Sequence, residues 1–287
     1  MKDFPIPVVA FGPGSQAEDE ALEYMPMPSG METFRAPMLP EPEALAGHAG
    51  AHAALRATLS ALAEVSRDGG SRQVNLAGLA AADLALVNQV LGEGEVSALV
   101  EGTTPADGLR VQESVFAGVW RVLRTAGGLV TEDVIELGAV PRALRAAAGE
   151  DAADAMPAWA GPLPPNVQNA PALLVEISGQ WRRWQEGDAA HMVNLTLLPM
   201  SVEDIGFLDH HLGTGRVLIL SRGYGNCRIT NTQRPNCWRV VYYNSQDIVI
   251  LNTVEVCALP EVAQAAPEDL VDSHARLAEV LAWVEGA

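Results

Sequence analysis

The chain has 287 residues, of which 48% are hydrophobic, and carries a formal net charge of −18 at pH 7. This length accommodates about two domains, and the apolar content argues against wholesale disorder. The acidity excludes nucleic acids and anionic membranes as main partners, because both bind basic surfaces.

Cysteine content and hydropathy indicate the compartment. Three cysteines in a chain of this size do not form a disulfide framework, so reduced thiols are expected. No apolar run approaches the roughly 18 residues of a membrane span. The first residues, MKDFPIPVVAFGPGSQ, lack the charged-then-apolar order of a signal peptide. We therefore expect a cytoplasmic protein.

Residues 1–47 form a proline-rich segment, with eight prolines between positions 5 and 42. Such a density excludes a long helix or a central strand. Flexible apolar side chains lie among the prolines, namely Met25, Met27, Met31 and Phe34. An extended chain that carries them is suited to adaptable binding, which predicts a binding arm. A tail that packs on its own domain, or a disordered leader, fits the same pattern equally well.

Residues 48–148 have the pattern of a helix-plus-sheet unit. A helix is predicted over His48–Ser66 from one apolar stripe, and the glycines that follow end it. A second helix over Ala81–Leu91, a Gly-rich turn, several strands and Pro141 complete the unit.

Residues 191–287 repeat this order, with a helix over Ser201–Leu212, a turn, strands and Pro260. The string LGEGEV at 91–96 matches LGTGRV at 212–217, and WRV at 120–122 matches WRV at 238–240. Several matches in one order predict an internal duplication. The expected fold class is α+β, with two related units that each combine a helix with an antiparallel sheet. Pairing of the two sheets within one chain or across a homo-oligomer is left open.

Between the units, residues 149–190 form a connector that contains prolines and tryptophans. Its apolar run Leu173–Ile177 is short enough for one strand, and the tryptophans suggest that the connector packs on a domain. After the second unit's strands, an amphipathic helix is predicted over Glu268–Val284.

Four apolar runs separated by Gly, Pro, Asn and Asp predict an antiparallel meander in the second unit. The runs are Gly215–Ser221, Cys227–Thr232, Cys237–Asn244 and Ile248–Val256. Strand alternation places Trp238 and Val240 on one face and Arg239 and Val241 on the other. The stretch from Ser201 to Pro260 holds five Arg and five acidic residues, so it is neutral within an acidic chain.

The polar side chains of this meander are candidates for contact with a protein partner, because Arg and Tyr are enriched at such contacts. They are Arg222, Tyr224, Asn226, Arg228, Arg239, Tyr243, Asn244 and Asn252. In the alternative interpretation they cap turns and pair within the sheet.

Catalytic and metal-binding patterns are weaker. The GxG turns follow helices, so they indicate helix caps rather than phosphate-binding loops. No acid, base and nucleophile fall into a catalytic arrangement, so we expect a protein that is not an enzyme and has no cofactor. Cys227 and Cys237, near the starts of adjacent strands, are the candidate ligands for an alternative function as a metal or iron–sulfur carrier.

Several strings resemble one protein family. ILSRGYGNCRIT (219–230), WRVVYYNSQDIVILNTVEV (238–256) and PEVA (260–263) are similar to the C-terminal domain of the HupH/HyaF hydrogenase expression/formation proteins. FGPGSQ (11–16) and MPMPSGMETF (25–34) are similar to the N-terminal segment of that family.

The resemblance implies an accessory role in maturing the small, iron–sulfur-bearing subunit of an uptake nickel–iron hydrogenase. It implies that the protein holds the subunit precursor before export, together with a thioredoxin-like accessory protein. It carries over no catalytic residue. It does assign candidate contacts at matched positions, which are Arg222, Gly223, Tyr224, Gly225, Asn226, Arg228, Tyr243 and Asn244.

Overall fold

The computed structural model describes residues 47–153, 155–222 and 226–286. The predicted arm therefore lies almost entirely outside the described residues. The first unit contains α1 (Ala49–Asp68), β1 (Arg72–Asn75), α2 (Ala81–Leu91), β2 (Val96–Glu101), β3 (Gly108–Glu113), β4 (Val119–Ala126), β5 (Leu129–Leu137) and α3 (Arg142–Asp151). There follow α4 (Ala170–Trp181), β6 (His191–Asn194), α5 (Val202–Leu212), β7 (Val217–Ser221), β8 (Asn226–Asn231), β9 (Cys237–Tyr243), β10 (Val249–Val256) and α6 (Pro267–Gly286).

All ten described strands form one antiparallel sheet in the order β1-β5-β4-β3-β2-β7-β8-β9-β10-β6. Strands β2 and β7 join the two units at its centre. Ala98 lies directly opposite Ile219, and these residues hold equivalent positions in the two units, 121 residues apart. A pseudo-two-fold axis passes through this pair. The two sheets therefore pair within one chain, which answers the question left open by the sequence.

One face of the sheet carries Trp120 and Trp238, and we call it the tryptophan face. Both indoles are about 1% exposed and share one core with apolar side chains of the central strands, closed by helix α3. The Nε1–H of Trp120 donates to the carbonyl oxygen of Gly138 (2.9 Å), and that of Trp238 to the carbonyl oxygen of Cys257 (3.2 Å). Each buried indole stabilises the fold by about 3–5 kcal/mol relative to Ala.

The opposite face carries Arg110, Arg121, Arg228 and Arg239, and we call it the arginine face. The described helices cover it at its two ends. Helices α1, α2 and α6 pack over the end formed by the first unit, and α4 and α5 pack over the end formed by the second. No helix of the described residues covers the central strands of this face.

The helix after the last strand of each unit packs against the other unit. Helix α6 buries Leu270, Leu277 and Leu281 in the first unit's core against α1. Helix α3 ends in the second unit, where Asp151 accepts hydrogen bonds from the backbone N–H and the Nε–H of Arg216, both at 2.6 Å. This exchange ties the two units together.

Most predicted elements are confirmed. Helix α2 has the predicted bounds, and the four meander strands agree to within two residues. Ser201 and Asp204 form the reciprocal capping box at the start of α5. The α+β class and the two related units are likewise confirmed.

The strand predicted at Leu173–Ile177 is wrong, because these residues lie inside helix α4. Pro171 occupies the first turn of that helix, where a missing N–H costs nothing. Leu174, Ile177 and Trp181 follow at helical spacing and are buried together against α5 and β10. The prediction took a short apolar run for a strand and missed the longer helical period.

Candidate partner-binding surface

The uncovered centre of the arginine face is built from strands β3, β2, β7 and β8, with β4 and β9 at its margins. Strand register fixes which side chains lie beside one another. Gln112, Ser97, Leu220, Arg228 and Val241 form one row across these strands. The neighbouring row contains Arg110, Leu99, Leu218, Thr230 and Arg239. The surface therefore alternates leucines with polar and cationic side chains.

Three leucines form an apolar strip along the centre of this face, namely Leu99, Leu218 and Leu220. Each is half-buried, and none packs against any of the three hydrophobic cores. Neighbouring strands bury the sides of these leucines, whereas their outer surfaces have no covering element among the described residues. Apolar surface of this kind on a central sheet is typical of a contact site.

The arginines of this face occur in equivalent pairs. Arg110 and Arg228 hold equivalent positions in the two units, as do Arg121 and Arg239, each pair being 118 residues apart. Arg121 is held by an ion pair with Asp133 and by a hydrogen bond to Asn88 Oδ1 (2.9 Å). Arg110 and Arg228 form no ion pair with any described residue. The duplication has thus kept a pair of available cations on this face.

One difference between the units leaves polar atoms unsatisfied. The residue equivalent to Asp133 is Asn252, whose buried Oδ1 has no hydrogen-bond partner among the described residues. Arg239 Nη1 lies 3.2 Å from Asp209 Oδ1 but is likewise buried without an aligned hydrogen-bond partner in this part of the chain. Buried polar atoms without a partner are costly, so this margin of the second unit is less well satisfied than the Arg121–Asp133 margin of the first.

Besides Arg239 and Asn252, the structure brings four more predicted contact residues together on this face. The backbone N–H of Arg222 donates to Glu95 O (3.2 Å), which continues the pairing of β7 with β2. Asn226 lies directly opposite Tyr243, and Arg228 lies one row further in. Arg222, like Arg228, has no ion pair with a described residue.

The other predicted residues lie either in a turn or outside the described residues. Asn244 lies in the β9–β10 turn, where its Oδ1 accepts hydrogen bonds from the N–H groups of Gln246 (2.8 Å) and Ile248 (3.0 Å). Its amide oxygen is thus used within the turn. The remaining predicted contacts lie outside the described residues, and they are Met25, Met27, Met31, Phe34, Gly223, Tyr224 and Gly225.

The two candidate metal-ligating cysteines are not brought together. Cys227 lies opposite Tyr242 and packs in the core of the tryptophan face, whereas Cys237 lies opposite Val256 and packs in the core under α4 and α5. The sheet therefore separates the two thiols. Burial raises the pKa of each thiol to about 12, which keeps both protonated at neutral pH.

The described residues contain neither a metal-binding cluster nor a membrane-spanning helix. No group of three or more His, Cys, Asp or Glu side chains within residues 47–153, 155–222 and 226–286 is arranged to hold a metal ion. Within the same ranges, no helix is long and apolar enough to cross a membrane.

Sequence reasoning missed Arg110 and Leu99, which belong to the first unit. The available signal was the duplication itself, since Arg110 is equivalent to Arg228 and Leu99 to Leu220. The prediction treated the first unit as a packing partner and did not transfer the surface of the second unit onto it.

Comparisons with known proteins agree with the duplication. A family profile described as "HupH hydrogenase expression protein, C-terminal conserved region" matches residues 49–161 and again residues 167–284. The hydrogenase expression/formation protein HoxQ of Cupriavidus necator is 54% identical over 99% of both chains, and HupH of Rhodobacter capsulatus is 49% identical over 98% of both. A solved structure, the hydrogenase expression protein HupH from Thiobacillus denitrificans, is 28% identical over 40% of this chain and 95% of its own, with a TM-score of 0.37. On the family match and these full-length relatives, the chain belongs to the HupH family of hydrogenase expression proteins.

Proposed function

We propose that this protein is an accessory protein in hydrogenase maturation that binds the precursor of the small, iron–sulfur-bearing subunit of an uptake nickel–iron hydrogenase. The observation that carries the proposal is the full-length relationship to hydrogenase expression/formation proteins, at 54% identity for the Cupriavidus relative. Those names denote expression and formation of a hydrogenase, which favours an accessory role over catalysis.

Binding to a protein partner is supported by the composition of the arginine face. Arg222, Arg228 and Tyr243 are residue types that dominate the energetics of protein contacts. The leucine strip beside them supplies apolar area, and half-buried side chains lose little further freedom when a partner covers them. We propose that Gly223, Tyr224 and Gly225 extend this surface between β7 and β8, and that Met25, Met27, Met31 and Phe34 contribute from the arm.

In this proposal the protein acts in the cytoplasm before the small subunit is exported, and a thioredoxin-like accessory protein shares the task. The protein would hold the precursor and would need no cofactor of its own. The metal-carrier alternative has less support, because the sheet separates Cys227 from Cys237.

The proposal is tested by measuring the affinity of the purified protein for the small-subunit precursor. The double variant Arg222→Ala/Tyr224→Ala should weaken binding by at least about tenfold, since Arg and Tyr at a contact centre each contribute about 2 kcal/mol or more. Its thermal midpoint should stay close to that of the unchanged protein.

Arg124→Ala is the matched control. Arg124 lies on the tryptophan face, is exposed and pairs with Glu132 at 3.0 Å, so its loss should leave precursor binding unchanged. If the double variant binds as tightly as this control, the surface is misplaced. If the double variant unfolds, Arg222 and Tyr224 are structural residues and not contacts.

A further inference from the structure

The pseudo-two-fold axis gives the arginine face two equivalent halves. The first unit contributes Leu99 and Arg110, and the second contributes Leu220 and Arg228 at equivalent positions. The two halves meet at the β2–β7 pair, so their leucines form one continuous strip. A ligand on this strip contacts both units.

The charge of the strip contrasts with the rest of the chain. Arg110, Arg222 and Arg228 project from it without an ion pair to any described residue, in a chain whose formal charge is −18. Arginine favours carboxylates because its guanidinium matches their geometry. The face is therefore complementary to a ligand that is both apolar and acidic.

A second copy of this chain is a poor occupant of the face. Two such faces related by a two-fold axis would bring arginines of one copy against arginines of the other. Like charges placed across a contact oppose association. The charge pattern favours a different chain with carboxylates.

We propose that the centre of the arginine face is a two-sided docking site for an extended acidic segment of a partner protein, bound through Arg110 on one side and Arg228 on the other. The inference rests on the proposed function only for the identity of that partner. The leucine strip receives the apolar side chains of the segment, and the two arginines receive two of its carboxylates.

The sheet geometry sets the spacing of those carboxylates. Arg110 and Arg228 are separated by three strand spacings and by two residues along the strands. With about 4.8 Å per strand spacing and about 3.3 Å per residue, their Cα atoms lie about 16 Å apart. An extended peptide covers that distance in about five residues. Side chains of an extended chain alternate between its two sides, so two that reach the same face are an even number of positions apart. The preferred ligand therefore carries two acidic residues four or six positions apart, with apolar residues between them.

The test uses the full-length protein and a fluorescently labelled ten-residue peptide with Glu at positions 3 and 7 and Leu and Gln elsewhere. A second peptide has Gln in place of both Glu residues. We expect the Glu peptide to bind, and Arg110→Ala and Arg228→Ala each to weaken binding by about three- to tenfold, as for partly desolvated charge pairs. The unchanged protein should bind the Gln peptide no more tightly than either arginine variant binds the Glu peptide. Arg124→Ala should bind the Glu peptide as tightly as the unchanged protein does.

Several outcomes would overturn the inference. Loss of binding in Arg228→Ala without loss in Arg110→Ala would restrict the site to one unit, and equal binding of both peptides would remove the role of charge. The chain's own residues 1–46 contain eight acidic and two basic residues. If the peptide binds only after Glu18, Asp19, Glu20 and Glu23 are changed to amides, the face belongs to that segment. A dimer that dissociates in the arginine variants would assign the face to a second copy.

The failure of this inference is distinguishable from failure of the proposed function. If the peptide does not bind but the hydrogenase small-subunit precursor does, only the acidic docking site is refuted. If the peptide binds as described but the precursor does not, the docking site stands and the proposed partner is wrong.

Discussion

Replacing Glu113 by Gln should stabilise the protein at alkaline pH and flatten its pH dependence. Glu113 is 8% exposed at the end of β3, and its Oε1 accepts a hydrogen bond from the N–H of Gly118 (3.3 Å). Burial, and then the nearby charges of Glu95 and Asp269, raise its pKa to about 7 although hydrogen bonds from Gly118 and Val96 oppose the rise. In the second unit the equivalent residue is Asn231, whose Oδ1 accepts from the N–H of Val217 (2.9 Å) without any charge.

The sign of the effect follows from proton binding. Between the ordinary pKa of 4.5 and the native value of about 7, the folded state binds more protons than the unfolded state. Stability contributed by the protonated carboxyl is therefore present below pH 4.5 and is lost as the pH rises through 7. The full loss above pH 7 is at most about 3.5 kcal/mol, because the pKa rises from 4.5 to about 7 and each tenfold change in proton affinity is worth about 1.4 kcal/mol. Relaxation at the site reduces it, so we expect about 1–3 kcal/mol.

The assay is urea unfolding at pH 4.5, 6 and 8 for the unchanged protein, for Glu113→Gln and for the exposed control Glu93→Gln. The free energies of unfolding of Glu113→Gln and the unchanged protein should converge at pH 4.5 and diverge in favour of Glu113→Gln at pH 8. The control should follow the unchanged protein throughout. Parallel curves, or a variant that is less stable at pH 8, would refute the assigned protonation of Glu113.

Three further predictions test the fold. Gly118→Ala should lower the stability measured by thermal unfolding by about 2–3 kcal/mol, because φ is +77° and a Cβ would overlap Leu270 Cδ2 on α6. The control Gly127→Ala, at φ +58° with open space around the Cβ, should lower it by only about 1 kcal/mol. Asp151→Ala should lower the free energy of unfolding by about 2–3 kcal/mol, because three donors lose their acceptor. Burial alone would raise the pKa of Asp151, but hydrogen bonds from Arg216 and Asn231 hold that pKa below its usual range. That contribution should be present above the ordinary pKa of 3.8 and be lost in acid unfolding as the pH falls through the lower native pKa, and an unchanged acid limb in Asp151→Ala would contradict it. Burial raises the pKa of all three cysteine thiols, Cys227, Cys237 and Cys257, to about 12. They should therefore react with a thiol reagent at pH 8 only after the protein unfolds, and a fast reaction of the native protein would refute their burial.

The sequence was sufficient to predict the repeated elements, because each has a local signal. The capping box at Ser201 and Asp204 and the glycine that ends α2 depend on neighbours within one turn of helix. The pairing of β2 with β7 has no local signal, since it joins residues about 121 positions apart. The crossing of α6 onto the first unit is equally non-local, and both were found only in the structure.

The candidate surface was predicted in part. Strand alternation groups Asn226 with Arg228 on one strand and Arg239 with Tyr243 on the next, and the register of the two strands places both pairs on the arginine face. Alternation says nothing about which face a helix covers, so the uncovered state of the arginine face could not be predicted. Transfer of Arg228 onto Arg110 through the duplication was within reach of the sequence.

The most direct test of the central claim is affinity purification of the tagged protein from an anaerobic lysate of its native cells, with mass spectrometry of the proteins that copurify. Our account predicts recovery of a hydrogenase small-subunit precursor that still carries its export signal, and loss of that precursor in Arg222→Ala/Tyr224→Ala but not in Arg124→Ala. Recovery of the protein without any hydrogenase component, from cells that are producing the hydrogenase, would contradict a role in holding the precursor.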